Sequence, residues 1–275
     1  MKRWLVIVTV ILTFALAACG NAGSDKEKDN KEELTVGATN VPHAEILEKA
    51  KPLLKEQGID LKIKTFQDYS LPNRVLADGE IDANFFQHIP FFESEVKEKG
   101  YDLVNAGGIH IEPIGVYSKK YKSLEDLPEG AQILMSSSIP DHGRILAMLE
   151  EKGLIKLKEN VDKVNATIDD IAENPKKLEF NYEFDAAYLP QVFENNEGDA
   201  VLINSNYALD VGLNPSKDAI ALEDKESPYV NIIAVRKEDE NNEKIKALVD
   251  VLHSKEMQDF ILDEWKGSVV PVADK

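Results

Sequence analysis

Cysteine is almost missing from this chain: there is one in 275 residues, at position 19. A lone thiol cannot close an internal disulfide and offers no Cys cluster for structural zinc. Basic residues are scarce against acidic ones, 32 Lys and Arg to 50 Asp and Glu, for a net charge of −18. A surface of that sign repels phosphate backbones and anionic lipid heads, so nucleic acid is not an expected partner. GxSxG and glycine-rich phosphate loops are missing. The one SxxK match, Ser94 to Lys97, lies in the charged stretch FESEVKEKG without SDN or KTG partners. Histidines 43, 88, 110, 142 and 253 form no HxH or HExxH group. No metal site, no cofactor and no nucleophile, base and orienter set is therefore expected, which argues against an enzyme.

Long apolar runs are missing as well, with one exception. Residues 4–18 are uncharged, follow Lys2 and Arg3, and end in Leu-Ala-Ala before Cys19. A basic start, an apolar stretch near the ~15-residue limit and small residues before a cysteine describe a lipoprotein export signal, too short for a confident membrane span. Cys19 then reads as a lipid acceptor, and an uncleaved anchor with an incidental cysteine is the alternative. Either way the folded part is expected outside the cytoplasm, at the cell membrane. Cleavage before Cys19 leaves 257 of 275 residues and removes Lys2 and Arg3, so the charge moves from −18 to −20. Residues 19–33, mostly GNAGSDKEKDNKEE, have no large apolar side chain and read as a lipidated, disordered tether.

From Leu34 short apolar runs alternate with amphipathic stretches: LTVGATN, PHAEILEKAKPLLKEQ stopped by Gly58, DLKIKTF, a helical turn to Ala77, then IDANFF. This alternation predicts βαβ units and an α/β fold, with a kink at Pro52. Segments 109–117 and 229–235 read as crossings between two lobes. Between them come QILMS, a helix over about 140–152 ended by Gly153, KVNA, LEFNY, a helix around 187–193, and DAVLI. NEKIKALVDVLHS and KEMQDFILDEW read as helices packing back on the first lobe. The expected division is a signal at 1–18, a tether at 19–33, lobe I at 34–114 plus 237–275, and lobe II at 115–236 including the crossings.

The stretch NFFQHIPFF, residues 84–92, holds four of the ten phenylalanines and one of the five histidines at the end of a strand, where α/β sheets collect ligands. Extended geometry puts Asn84, Phe86 and His88 on one side and Phe85 and Gln87 on the other. The alternative is that all four Phe are core. Arg144 follows a strand exit that turns into a helix start, so its planar fork and free N–H groups could grip a carboxylate. A pair with Asp141 or Glu150 is the alternative. Tyr69, Asn204 and Asn231 are further polar candidates at the cleft, although an isolated Asn is more often a turn or cap residue.

Taken together, the segments VGAT, PHAEIL, DANFFQHIPFF, GVYSKKYKSLEDLP, GRILAMLEEKGL, ENPKKLEF, INSNYA and DKESPYVNIIAVR, with the Leu16 to Cys19 lipobox, resemble the methionine-binding lipoproteins of the NlpA type. The resemblance implies a two-lobed periplasmic-binding-protein-like fold with two interlobe crossing segments, closing on free methionine and docking on an ABC permease, as a monomer. It implies that Tyr69, Phe86, His88 and Phe91 line the side-chain pocket, that Arg144 holds the carboxylate, and that Asn204 and Asn231 fix the polar end. Family members often carry Tyr where this chain has Phe85 and Phe91. A methionine-containing dipeptide, D-methionine, another apolar amino acid, or an adhesin without a transported ligand are the other readings.

Overall fold

The computed structural model of the chain describes residues 32–225 and 227–272. The export signal, Cys19 and the tether up to 31 lie outside the described residues. The body begins at Glu32, two residues before the expected Leu34, because Glu32 and Glu33 already pair with Ile59 and Asp60.

In chain order, β1 (Glu32–Thr39), α1 (Glu45–Glu56), β2 (Ile59–Phe66), α2 (Pro72–Ala77), β3 (Ala83–His88), α3 (Ile89–Lys99) and β4 (Leu103–Ile111) form the expected βαβ run. There follow β5 (Gly115–Tyr117), β6 (Gln132–Ser136), α4 (Ile139–Glu151), β7 (Lys156–Leu157), β8 (Ile171–Glu173), β9 (Glu179–Phe184) and α5 (Leu189–Glu194). The chain continues through β10 (Ala200–Ile203), α6 (Ser205–Asp210), α7 (Pro215–Asp218) and β11 (Ala221–Leu222). It ends with β12 (Val230–Arg236), α8 (Glu243–His253), α9 (Lys255–Trp265) and β13 (Val270–Pro271). KVNA forms a 3-10 turn at Lys163–Asn165, because the Asp162 side chain accepts from Val164 N and closes the turn locally. Helix α1 runs through Pro52 as one element, with Pro52 on its exposed side.

The first sheet has the order β13-β4-β12-β3-β1-β2. Strand β1 runs parallel to β2 and β3, as βαβ crossovers require, and β12 returns antiparallel between β3 and β4. Ile46, Leu47, Ala50 and Leu54 of α1 share a core with Leu34, Val36 and Ala38, and Leu248, Leu252, Met257 and Ile261 of the last two helices join it. Each Val, Leu, Ile or Met side chain among them contributes about 1.5–3 kcal/mol of burial. The C-terminal helices thus pack on the first lobe.

The second sheet has the order β11-β5-β10-β6-β9 and is covered on both faces. Along β6, Ile133 and Met135 pack with Ile145, Leu146 and Leu149 of α4, while Leu134 packs with Leu189 and Val192 of α5. That period of two is the strand geometry itself. The chain passes between the sheets at 112–114 and 223–229. Segment 229–235, taken from sequence as the second crossing within lobe II, is almost wholly a strand of the first sheet. The crossing precedes it. An apolar antiparallel strand inserted between β3 and β4 has the same local sequence character as a connecting segment.

Candidate functional site

A cavity opens between the two sheets, at the carboxyl end of β3, with about 370 Å³ of empty space including its mouth. All seven side chains singled out from sequence, Tyr69, Phe86, His88, Phe91, Arg144, Asn204 and Asn231, stand on its wall. Gln87, Glu112, Asp141, Ser205 and Asn206 complete it, and the sequence reading did not include them.

The aromatic side is a triangle of rings. Tyr69, Phe86 and Phe91 have centroids 5.7–5.9 Å apart, and the Phe91 ring lies edge-on to both others. Phe85 belongs to the first core and Phe92 to the cluster of Phe66, Val75, Leu76 and Ile81. Of the neighbouring pair Phe91 and Phe92, then, one ring faces the cavity and one the core. The strict alternation expected along β3 fails. Ile232 pairs with Gln87 and Ile233 with Phe85, so Phe86 is bulged out of register and Phe86, Gln87 and His88 all reach the cavity. Asn84 does not line it; its side chain donates to Asn73 Oδ1 at 2.9 Å in a buried amide cluster that also holds Gln87.

His88 caps helix α3: its Nδ1 accepts from Phe91 N at 3.1 Å. The hydrogen therefore sits on Nε2, which donates to Asp141 Oδ1 at 3.1 Å. Both ring nitrogens are engaged, so His88 can offer a ligand only its ring surface. The His88–Asp141 bond joins the two lobes, as do Tyr69 Oη donating to Asn206 Oδ1 at 2.6 Å and the Tyr69–Tyr207 ring contact at 4.9 Å. Asp141 accepts further bonds from Ser136 Oγ at 3.2 Å and Asn204 Nδ2 at 3.1 Å. Burial works against its charge, but the hydrogen bonds from His88 and Asn204 and the nearby Arg144 cation outweigh it and hold the pKa down at about 2.

Arg144 lies in the second turn of α4 and is 3% exposed. Its carboxylate partner is neither Asp141 nor Glu150 but Glu223, 79 residues on: Nε donates to Glu223 Oε2 at 3.0 Å and Nη2 to the same oxygen. Nη2 also donates to the Glu112 carbonyl at 2.8 Å, and the Tyr229 ring stacks 4.6 Å from the guanidinium carbon. Burial disfavours this charge, and Glu223 restores it. Glu150 instead pairs with Lys163 at 2.5 Å. The first turn of α4 carries its own anion, Asp141, so the positive helix end is not the open anion seat expected from sequence.

At the polar end, Glu112 Oε1 lies 2.7 Å from His110 Nε2 and 3.1 Å from His43 Nε2. His43 Nε2 also lies 3.3 Å from Asn231 Oδ1, while its Nδ1 meets Thr39 Oγ1 at 2.8 Å. One buried imidazole thus sets two cavity side chains from behind. Burial pushes His43 down to about 4 and His110 to about 3, so both are neutral, and burial raises Glu112. His43, His110 and Glu112 bring ligand atoms within 4.8 Å of one another, a grouping the sequence spacing conceals. In this arrangement both Nε2 atoms donate to the carboxylate, which places N–H hydrogens where a cation would sit. Asn204 Oδ1 and Asn206 Nδ2, an acceptor and a donor, are buried and have no hydrogen-bond partner among the described residues. Polar atoms so placed on a cavity wall are positioned for a ligand.

Two covered α/β sheets joined by two connections, with a cavity between them lined from both sides by charged groups and by rings, define a substrate-binding protein. The NlpA lipoprotein family profile matches residues 34–273, and the chain belongs to that family. It is 52% identical over its whole length to the whole of "Methionine-binding lipoprotein MetQ" of Bacillus subtilis. Among solved structures, a "pheromone cOB1 precursor/lipoprotein, YaeC family" from Enterococcus faecalis is 60% identical, with a TM-score of 0.86 over 88% of this chain and 100% of that one. "A nutrient binding protein from Burkholderia cenocepacia bound to methionine" is 46% identical, with a TM-score of 0.81 over 86% of this chain and 99% of that one.

Proposed function

We propose that this protein captures methionine between its lobes and hands it to an ABC permease, as a lipoprotein held at the outer face of the cell membrane by an acylated Cys19. The observation that carries this is the mixed lining of the cavity. The Tyr69, Phe86 and Phe91 triangle and the His88 ring share its wall with Arg144, Glu112, Asn204, Asn206 and Asn231. A thioether is polarizable and a weak acceptor, and gains about 0.3–1.5 kcal/mol from each well-placed aromatic contact. The ring triangle suits it.

A zwitterion needs a cation for its carboxylate and an anion for its ammonium, a short distance apart. Arg144 Nη1, the guanidinium nitrogen engaged by neither Glu223 nor Glu112, takes the carboxylate, with Asn206 Nδ2 as a second donor. Glu112 and Asn204 Oδ1 take the ammonium, and His43 steadies Glu112 and Asn231. The wall is drawn from both lobes, so a bound ligand favours the closed form. The role is binding and not catalysis: each polar group is arranged to hold charge, not to attack a bond.

The test is to express residues 20–275, purify the protein without added ligand, denature it and identify what is released by mass spectrometry with chiral analysis. L-Methionine in near one-to-one yield is the expected result. D-methionine or a methionine dipeptide would move the assignment to that ligand. An empty protein whose melting temperature rises with none of these would reject transport binding.

A further inference from the structure

Glu223 lies directly after β11, where the chain leaves the second sheet, and its side chain is 9% exposed. Its Oε2 accepts from Arg144 Nε at 3.0 Å, from Arg144 Nη2, and from the backbone N–H of Ile114 at 3.1 Å. Its Oε1 accepts from Ser227 Oγ at 3.1 Å. Ile114 belongs to one connection between the lobes and Ser227 to the other. A single, partly buried carboxylate therefore ties helix α4 to both connections. It grips Arg144 along the Nε and Nη2 edge, while Tyr229 covers a face of the guanidinium. An arginine held on one edge and one face loses little side-chain entropy when a ligand meets the remaining nitrogen.

We propose that Glu223 is the positioning residue of the binding site. It presents Arg144 to the ligand carboxylate and, through Ile114 and Ser227, joins that contact to both interlobe connections. The proposal rests on the reading that Arg144 holds the carboxylate. The opposite role, a carboxylate competing with the ligand for the guanidinium, fits the geometry less well. Glu223 is not on the cavity wall, and it leaves Nη1 to others.

The experiment compares Glu223→Ala, Glu223→Gln and Arg144→Ala with the parent, in residues 20–275, by titration calorimetry. The ligands are L-methionine and L-methioninol, which has an alcohol in place of the carboxylate; melting curves report folding. Positioning predicts that Glu223→Ala weakens methionine by at least about 30-fold and methioninol by less than about threefold. Glu223→Gln, which keeps one acceptor oxygen, should fall between Glu223→Ala and the parent. Equal loss for both ligands in the Glu223 variants, or tighter methionine binding by Glu223→Gln, overturns the proposal. Should Arg144→Ala lose both ligands alike, the carboxylate reading itself fails. If Arg144→Ala discriminates between them and Glu223→Ala does not, only the positioning role falls.

Discussion

Replacing Asp141 with Asn keeps the shape of the side chain and removes the charge that faces His88 across the lobes. The size of the effect follows from the Asp141 pKa, held at about 2 against an ordinary 3.8. At about 1.4 kcal/mol per pKa unit, the ionised carboxylate stabilises the fold by roughly 2 kcal/mol at neutral pH. Because the folded value is the lower one, that contribution is complete above pH 3.8 and is lost as pH falls through about 2; roughly half should remain at pH 3. Urea unfolding of ligand-free parent and Asp141→Asn proteins, at pH 7 and at pH 3, measures both numbers. The expected result is a gap of roughly 2 kcal/mol that halves on acidification. A gap of the same size at both pH values would refute the reasoning, because the effect would then be packing and not charge. So would a variant as stable as the parent at pH 7.

Three further outcomes are expected. A ligand ammonium beside Glu112 should pull back down the pKa that burial raises, so methionine affinity weakens as the solution is acidified. Glu112→Gln should bind more weakly and lose that pH dependence in calorimetry. The unfolded chain takes up protons that folded His43 and His110 refuse, their pKa values having dropped from 6.5 to about 4 and about 3. Stability should therefore be complete above pH 6.5 and fall below it, by up to about 1.4 kcal/mol per pH unit for each histidine, less what buried Glu112 offsets; denaturant midpoints from pH 7 to 5 report it. Gly143→Ala would place a Cβ 2.2 Å from Val164 O and 2.5 Å from Lys163 O. Helix α4 or the turn at Lys163–Asn165 must move, costing about 1–3 kcal/mol, which shows as a lowered melting temperature.

The elements were legible because their periodicity is local. The βαβ alternation from Leu34, the helix over 140–152 and the two C-terminal helices all follow from spacing within a dozen residues. Sheet membership was not. Strand β12 reads the same whether it crosses between lobes or inserts into the first sheet, and only its pairing with β3 and β4 decides. The aromatic wall was visible as a cluster at a strand end, but the bulge that turns Gln87 into the cavity was invisible, since it depends on the register of a partner strand. Glu112 had a signal that could have been used: an acid inside the apolar run IHIEPIGVY needs a buried partner. Its partner His110 stands two residues before it, but its other partner His43, like Glu223 beneath Arg144, is brought near by topology alone.

Titration calorimetry of L-methionine into the parent protein and into Arg144→Ala tests most directly whether this cavity encloses a zwitterion. The account predicts saturable one-to-one binding by the parent and at least a hundredfold loss in a variant that still melts cooperatively, about 3 kcal/mol of carboxylate recognition. No binding heat from ligand-free parent protein, or equal affinity in both proteins, would contradict it.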